Sequence, residues 1–249
     1  PAHDFQPRAA DLEAAAKGAR SLLVNSPNNP TGVVYDRATW QAIAKTCITH
    51  DLWLISDEVY DTQVWQGEHI SPRSLPDMQE RTLVIGSMSK SHAMTGSRIG
   101  WICGPIPVIE HLTNFATNTT YGVPGFIQDA AEFALSQGQE LEDEVAAPFR
   151  RRRRIALDLL TQQNLVRAVP CSGAMYLMLD MRATGLSGEA FAHALLDAHQ
   201  IAVMPGESFG QAAAGHIRVA MTVADDQFSE ALAVLLSFAA EICENKRRF

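Results

Sequence analysis

Four short apolar runs, at residues 20–25, 52–57, 82–87 and 98–103, set the strongest limit on how this chain folds. They are continuous and do not alternate with polar residues. Each is bounded by polar or turn-forming residues, and the first two are separated by a segment of helical period. Runs of this kind read as strands buried on both faces, which places them in a parallel or mixed sheet covered by helices. The chain is therefore expected to be α/β, with a mostly parallel sheet. Between the first two strands, Asp36 is placed to cap a helix reaching about residue 50, with Trp40, Ile43, Ala44 and Cys47 on one face.

Beyond the fourth run, the pattern predicts helices over 107–118 and 124–137. A long helix over 139–163 follows, with Pro148 as a kink or restart. After it come short strands at 165–169, 175–180, 201–204 and 216–220, a helix over 187–198 and a last helix from Asp225, which read as a small α+β unit. The boundary is expected near residue 140, giving a large domain over 1–140 and a C-terminal small domain over 141–249.

Composition narrows the function. The chain has 249 residues and a net charge of −8, so nothing invites nucleic acid or an anionic membrane surface. The basic cluster 150–154 falls inside the predicted long helix. It reads as a solvated face partnered by Glu140, Glu142, Asp143 and Glu144. Cys47, Cys103, Cys171 and Cys243 form no C-x-x-C pair. With no signal peptide or long apolar span, they read as reduced thiols of a cytoplasmic protein. The opening Pro1-Ala2-His3-Asp4-Phe5 looks like neither a start nor a targeting sequence.

In open α/β sheets, ligands gather at the carboxyl ends of the strands. Here those ends carry Asn29 in a Pro-Thr-Gly turn, Asp57 with Tyr60 three residues on, Ser87 leading to Lys90, and Arg98 just after the lysine loop. A lysine delivered by a strand into a Ser/Gly-rich turn suits a desolvated, nucleophilic amine. In this order, N-P-T-G, S-D-E-V-Y and S-x-S-K followed by arginine eight positions on resemble the fold-type I pyridoxal-phosphate (PLP) aminotransferases of class I/II. The likeness extends to Pro205-Gly206-Glu207-Ser208-Phe209-Gly210 and to Ala214-Gly215-His216-Ile217-Arg218-Val219-Ala220. Within the class, residues 51–60, 89–96, 126–131 and 213–218 resemble bacterial arginine:pyruvate transaminases.

The resemblance implies PLP as cofactor and a Schiff base on Lys90, which then serves as the base at the substrate α-carbon. It implies Asp57 at the pyridine nitrogen, with Tyr60 and Asn29 at the ring oxygen. Ser87, Ser89 and Arg98 would hold the phosphate, and Arg218, with Asn29, the substrate α-carboxylate. It further implies amino-acid and 2-oxo-acid substrates, a homodimer, and a segment preceding Pro1 that supplies the rest of the sheet and of the cofactor site.

Other residues read more plainly. Glu58 points away from Asp57 and reads as a structural ion-pair partner. His92 admits two readings, contact with the phosphate region or a hydrogen-bonded loop histidine. Tyr121 also admits two, a reach across a dimer interface or core packing. Trp40, Trp53, Trp65 and Trp101 read as packing residues. No cluster has metal-ligand spacing, and no glycine run forms a dinucleotide fingerprint. Two alternatives to transamination stand beside it. One is a PLP β-lyase on the same scaffold; the other is the PLP-binding effector domain of an aminotransferase-like transcription regulator.

Overall fold

The computed structural model describes residues 3–247, so Pro1 and Ala2 of the opening stretch lie outside the described residues. The chain divides into two compact units. One comprises residues 6–27 and 34–146; the other comprises 1–5, 28–33 and 147–249.

The first unit is built on a four-stranded sheet of β1 (Ser21–Asn25), β2 (Trp53–Asp57), β3 (Thr82–Ser87) and β4 (Gly100–Cys103), in that spatial order. The first three run parallel, and β4 returns antiparallel to β3 with Ser87 opposite Gly100. The expected α/β sheet is thus present in mixed form. Helix α1 (Ala9–Ala16) precedes β1, and α2 (Arg37–Thr49) links β1 to β2. Asp36 caps α2 by accepting from the Thr39 amide at 2.7 Å. Trp40, Ile43, Ala44 and Cys47 are buried, as the helical spacing predicts. A buttress joins α1 to α2: Glu13 accepts from Thr46 at 3.0 Å and meets the His50 ring at 2.7 Å.

Burial differs between the two faces of the sheet. Leu54 and Ser56 are inaccessible, whereas Leu23 on the other face is 65% exposed, and Trp53 and Ile102 are also exposed. Strand residues alternate between faces, and within this chain one face is packed and the other is open in part. Trp53 is exposed on the open face, Trp101 is exposed on the opposite face of the edge strand β4, and Trp40 is fully buried.

After β3 comes the single turn α3 (Met88–Ser91), and after β4 the helices α4 (Ile106–Thr119) and α5 (Gly125–Ser136). Tyr121, between them, is 90% exposed and adopts a positive φ of 59°, which rules out its core-packing reading. The division between units falls inside α6 (Gln139–Thr161), which continues through Pro148 without interruption.

The second unit holds a four-stranded antiparallel sheet of β5 (Arg167–Ala168), β6 (Tyr176–Asp180), β7 (Met204–Pro205) and β8 (His216–Ala220), in the order β5-β6-β8-β7. It is accompanied by α7 (Gly188–His199) and α8 (Asp225–Arg247). Its core contains Leu177, Met178, Leu179, Phe191, Leu195 and Ile217, all inaccessible.

Two arginines of the α6 basic cluster find a partner other than those expected. Arg151 and Arg152 both reach Asp225 at the start of α8, at 2.9 and 2.7 Å, and Arg152 also donates to the Met221 carbonyl. Neighbouring positions on one helix diverge by 100°, so these arginines meet whatever packs beside the helix rather than the acids of its first turns. No helix among the described residues is long and apolar enough to cross a membrane.

Candidate active site

In the first unit, the carboxyl ends of β2 and β3 and the amino end of β4 share one edge of the sheet. Asp57 closes β2 and lies in register with Ile85, two residues before Ser87. The sheet therefore brings Asp57, Ser87, Ser89, Lys90 and Arg98 to one edge, with Tyr60 in the turn leaving β2.

Asp57 is half-buried, and burial raises its carboxyl above the ordinary range despite a hydrogen bond from the Val59 amide at 3.2 Å. Among the described residues, no basic side chain forms an ion pair with it. A carboxylate held in this way favours a cationic partner, which would return its titration to lower pH. Glu58 turns the other way. It is buried and accepts from Ser71 at 3.0 Å, and the His69 ring lies 2.8 Å away, so the structural-partner reading holds.

The Ser87 hydroxyl caps α3, accepting from the Ser89 amide at 3.1 Å and donating to the Ile99 carbonyl at 3.3 Å. Lys90 sits on this one-turn helix, partly buried. Arg98 occupies the left-handed region at φ 53°, is exposed, and donates to the Thr95 carbonyl at 2.8 Å. His92 is buried, 2.8 Å from the Ser91 hydroxyl, which favours the loop-histidine reading.

The second unit brings Asn29 and Arg218 together across 189 positions of sequence. Arg218 donates through Nη1 to Asn29 Oδ1 at 2.8 Å. Its guanidinium lies 4.6 Å from the Tyr176 ring centroid and 5.0 Å from that of Phe209. Its Nε is buried without a hydrogen-bond partner, and no carboxylate among the described residues pairs with it. This partly buried guanidinium, flanked by two rings, keeps a donor available to an external acceptor.

The turn that carries Asn29 is fixed by its own residues. Asn28 Oδ1 accepts from the Thr31 hydroxyl and amide at 2.7 and 3.2 Å. Gly32, at φ 72°, presents its carbonyl to the amides of Ser172 and Gly173, both at 2.8 Å. A Cβ there would lie 2.9 Å from the Tyr176 carbonyl oxygen, so the close approach requires glycine.

Two supports escaped the sequence reading. Tyr176 and Phe209 flank Arg218, although the P-G-x-x-F-G turn gave a signal for the second. Glu207 in that same turn accepts the amides of Gly188 and Gly215 through Oε1, each at 2.9 Å. Burial works to raise its carboxyl, but the amides of Gly215, Gly188 and its neighbours outweigh it and hold the group below the ordinary range. No group of three or more His, Cys, Asp or Glu side chains among the described residues is arranged to hold a metal ion.

Comparison with known proteins decides the family. The profile of the family described as "Aminotransferase class I and II" matches residues 1–235. The chain belongs to the class I and II aminotransferases. Members of this family use pyridoxal phosphate. The arginine–pyruvate transaminase AruH of Pseudomonas aeruginosa is 46% identical over 223 residues, which cover 90% of this chain and 57% of that protein. An aspartate/prephenate aminotransferase of Thermus thermophilus is 36% identical over 216 residues, covering 86% and 54%. Among solved aminotransferase structures, the aromatic aminotransferase of Pyrococcus horikoshii OT3 superposes with a TM-score of 0.89 at 32% identity, covering 98% of this chain and 65% of that one. The chain thus spans between half and two thirds of the length of these aminotransferases.

The residues present fit the family cofactor. Asp57 offers a half-buried carboxylate lacking a cation, and a lysine stands on the same sheet edge beside hydroxyl and guanidinium donors.

Proposed function

We propose that the protein carrying this chain is a PLP-dependent aminotransferase that moves the amino group of an L-amino acid to a 2-oxo acid. The observation that carries the reading is the convergence of Asp57, Ser87, Lys90 and Arg98 on one edge of one sheet. When bound, pyridoxal phosphate supplies an aldehyde and an electron-withdrawing ring that accepts the charge developing at the substrate α-carbon.

The chain's own residues have distinct tasks in this reading. Asp57 holds a proton on the ring nitrogen, and the burial that raises its carboxyl favours a cation beside it. Tyr60 and Asn29 hydrogen-bond the ring oxygen. Ser87, Ser89 and Arg98 bind the phosphate, with Arg98 releasing the Thr95 carbonyl to do so. The Lys90 amine takes the proton from the substrate α-carbon and returns it during transfer. Arg218 binds the α-carboxylate through the donors that Asn29 does not occupy. Residues 1–140 serve the cofactor in the main and 141–249 complete the small domain. The cytoplasm and a homodimeric assembly belong to the same reading.

Arginine as donor and pyruvate as acceptor are the substrates we favour, on the 46% identity to the Pseudomonas protein of that name. The relatives compared are all named for amino transfer, which favours this over a lyase or a regulator. The test is to incubate the protein with PLP, L-arginine and pyruvate and follow alanine. Borohydride reduction in the presence of PLP is expected to leave the added mass on Lys90. Labelled Lys90 with no transfer from any L-amino acid to any 2-oxo acid would overturn the reading.

A further inference from the structure

Gln63 is a polar side chain in a place that favours an apolar one. It is completely buried and is followed directly by Val64 and Trp65. Its backbone amide donates to the Tyr60 carbonyl at 2.8 Å, which ties it into the turn that leaves Asp57. Its Nε2 donates to the backbone carbonyl of Lys90 at 3.2 Å, and its Oε1 is buried without a partner. Burying an amide with one half unsatisfied costs about 1–3 kcal/mol, a cost that a leucine of similar volume would avoid.

The single turn α3 explains what this costly group does. Carbonyls at the end of a helix lack intrahelical partners and need others. The Ser87 carbonyl takes the Ser91 hydroxyl at 3.2 Å, and the Met88 carbonyl takes the amides of His92 and Met94, both at 3.2 Å. Those partners all come from the same loop. The Lys90 carbonyl instead takes a side chain 27 positions away, on the far side of β3 in sequence. A rigid amide therefore joins the segment carrying Asp57 and Tyr60 to the peptide of the lysine itself.

We propose that Gln63 is a positioning residue for Lys90, fixing the lysine peptide against the Asp57–Tyr60 turn so that the amine starts from one direction. The inference rests on the aminotransferase reading for its consequence in catalysis but not for the contact. Losing the bond frees the Lys90 peptide to rotate, and misplacing a reacting group by a fraction of an ångström lowers turnover steeply.

The experiment compares wild type with Gln63→Leu and Gln63→Met, the second guarding against a packing failure of the first. Trace acetylation of the protein without cofactor, read by peptide mass spectrometry, reports Lys90 against Lys17 and Lys45 as internal standards. Both variants are expected to melt close to the wild-type temperature, because relief of the unpaired Oε1 is offset by the Lys90 carbonyl left unpaired, while Lys90 labelling changes by about threefold or more and the standards do not change. In the loaded protein, kcat is expected to fall about tenfold with KM for the amino donor within about twofold of wild type, since Arg218 is untouched. Unchanged Lys90 labelling and kcat in a folded variant would overturn the proposal. So would a lowered melting temperature with kcat and KM changing together, which marks a purely structural glutamine. Labelling that responds in a protein that transfers no amino group would instead retire the aminotransferase reading and leave the contact standing.

Discussion

Removing the Glu207 carboxylate tests whether the second unit is braced as its geometry indicates. Oε1 accepts two amides at 2.9 Å, one from Gly188 in the first turn of α7 and one from Gly215, three residues before Arg218. Hydrogen bonds to a charged group contribute about 1.5–3 kcal/mol each, and a carboxylate at a helix N-terminus gains about 0.3–1 kcal/mol more. Taking the lower ends, Glu207→Ala is expected to destabilise the protein by about 3 kcal/mol. Glu207→Gln keeps the acceptor but loses the charge. It also places an amide NH2 group where Oε2 now lies buried without a partner, so about 1–2 kcal/mol is expected. The carboxyl titrates below its ordinary range in the folded protein, so its contribution is full at neutral pH and is lost as pH falls through the folded value. The gap between wild type and Glu207→Gln should therefore close in acid. Urea unfolding followed by circular dichroism at pH 7 and pH 3 reads both effects, and amide exchange at Gly188 and Gly215 localises them. If Glu207→Ala costs less than about 1 kcal/mol at pH 7, the two amide bonds do not brace this unit and the reasoning fails.

Three further outcomes follow from the site. Asp57→Asn should stabilise the protein at neutral pH, because a carboxyl raised by burial disfavours folding once ionised; thermal melts should show the gain vanish below the unfolded carboxyl range, near pH 4. Arg218→Lys should raise KM for the amino donor by about 10–100-fold in steady-state assays, since a point charge cannot replace a planar fork aimed at a carboxylate; an unchanged KM would remove Arg218 from substrate binding. Gly32→Ala should lower the melting temperature more than Gly18→Ala, because both have positive φ but only Gly32 would drive a Cβ to 2.9 Å from a carbonyl oxygen.

The parts of the fold that were legible are those written in local pattern. Continuous apolar runs gave the strands of the first sheet to within a residue or two, and Asp36 marked the start of α2. Asp57, Ser87 and Lys90 could be singled out because each stands at or just past a strand end, where local turn residues announce it, whereas Arg218 lies in the middle of β8. What was illegible depends on partners distant in sequence. The α6 arginines meet Asp225, more than 70 positions away, and no helical periodicity encodes that. Gln63 looks like any loop glutamine until burial and the Lys90 carbonyl are seen together. Apolar runs report a capacity for burial on both faces, whereas Leu23 and Ile102 remain exposed.

The Asn29 turn leaves one compact unit, joins the other for six residues and returns. Its attachment is specific: the Gly32 carbonyl holds two amides of the 171–176 segment, and Asn29 holds Arg218. The Asn29–Arg218 pair is therefore not a module of contiguous sequence. A fragment cut at 147–249 would keep Arg218, Tyr176 and Phe209 yet lose the oxygen that orients the guanidinium. Recombining the C-terminal half of this chain with a relative's would exchange Arg218 and leave Asn29 behind, so a chimaera keeps the pair only if residues 28–33 travel with that half.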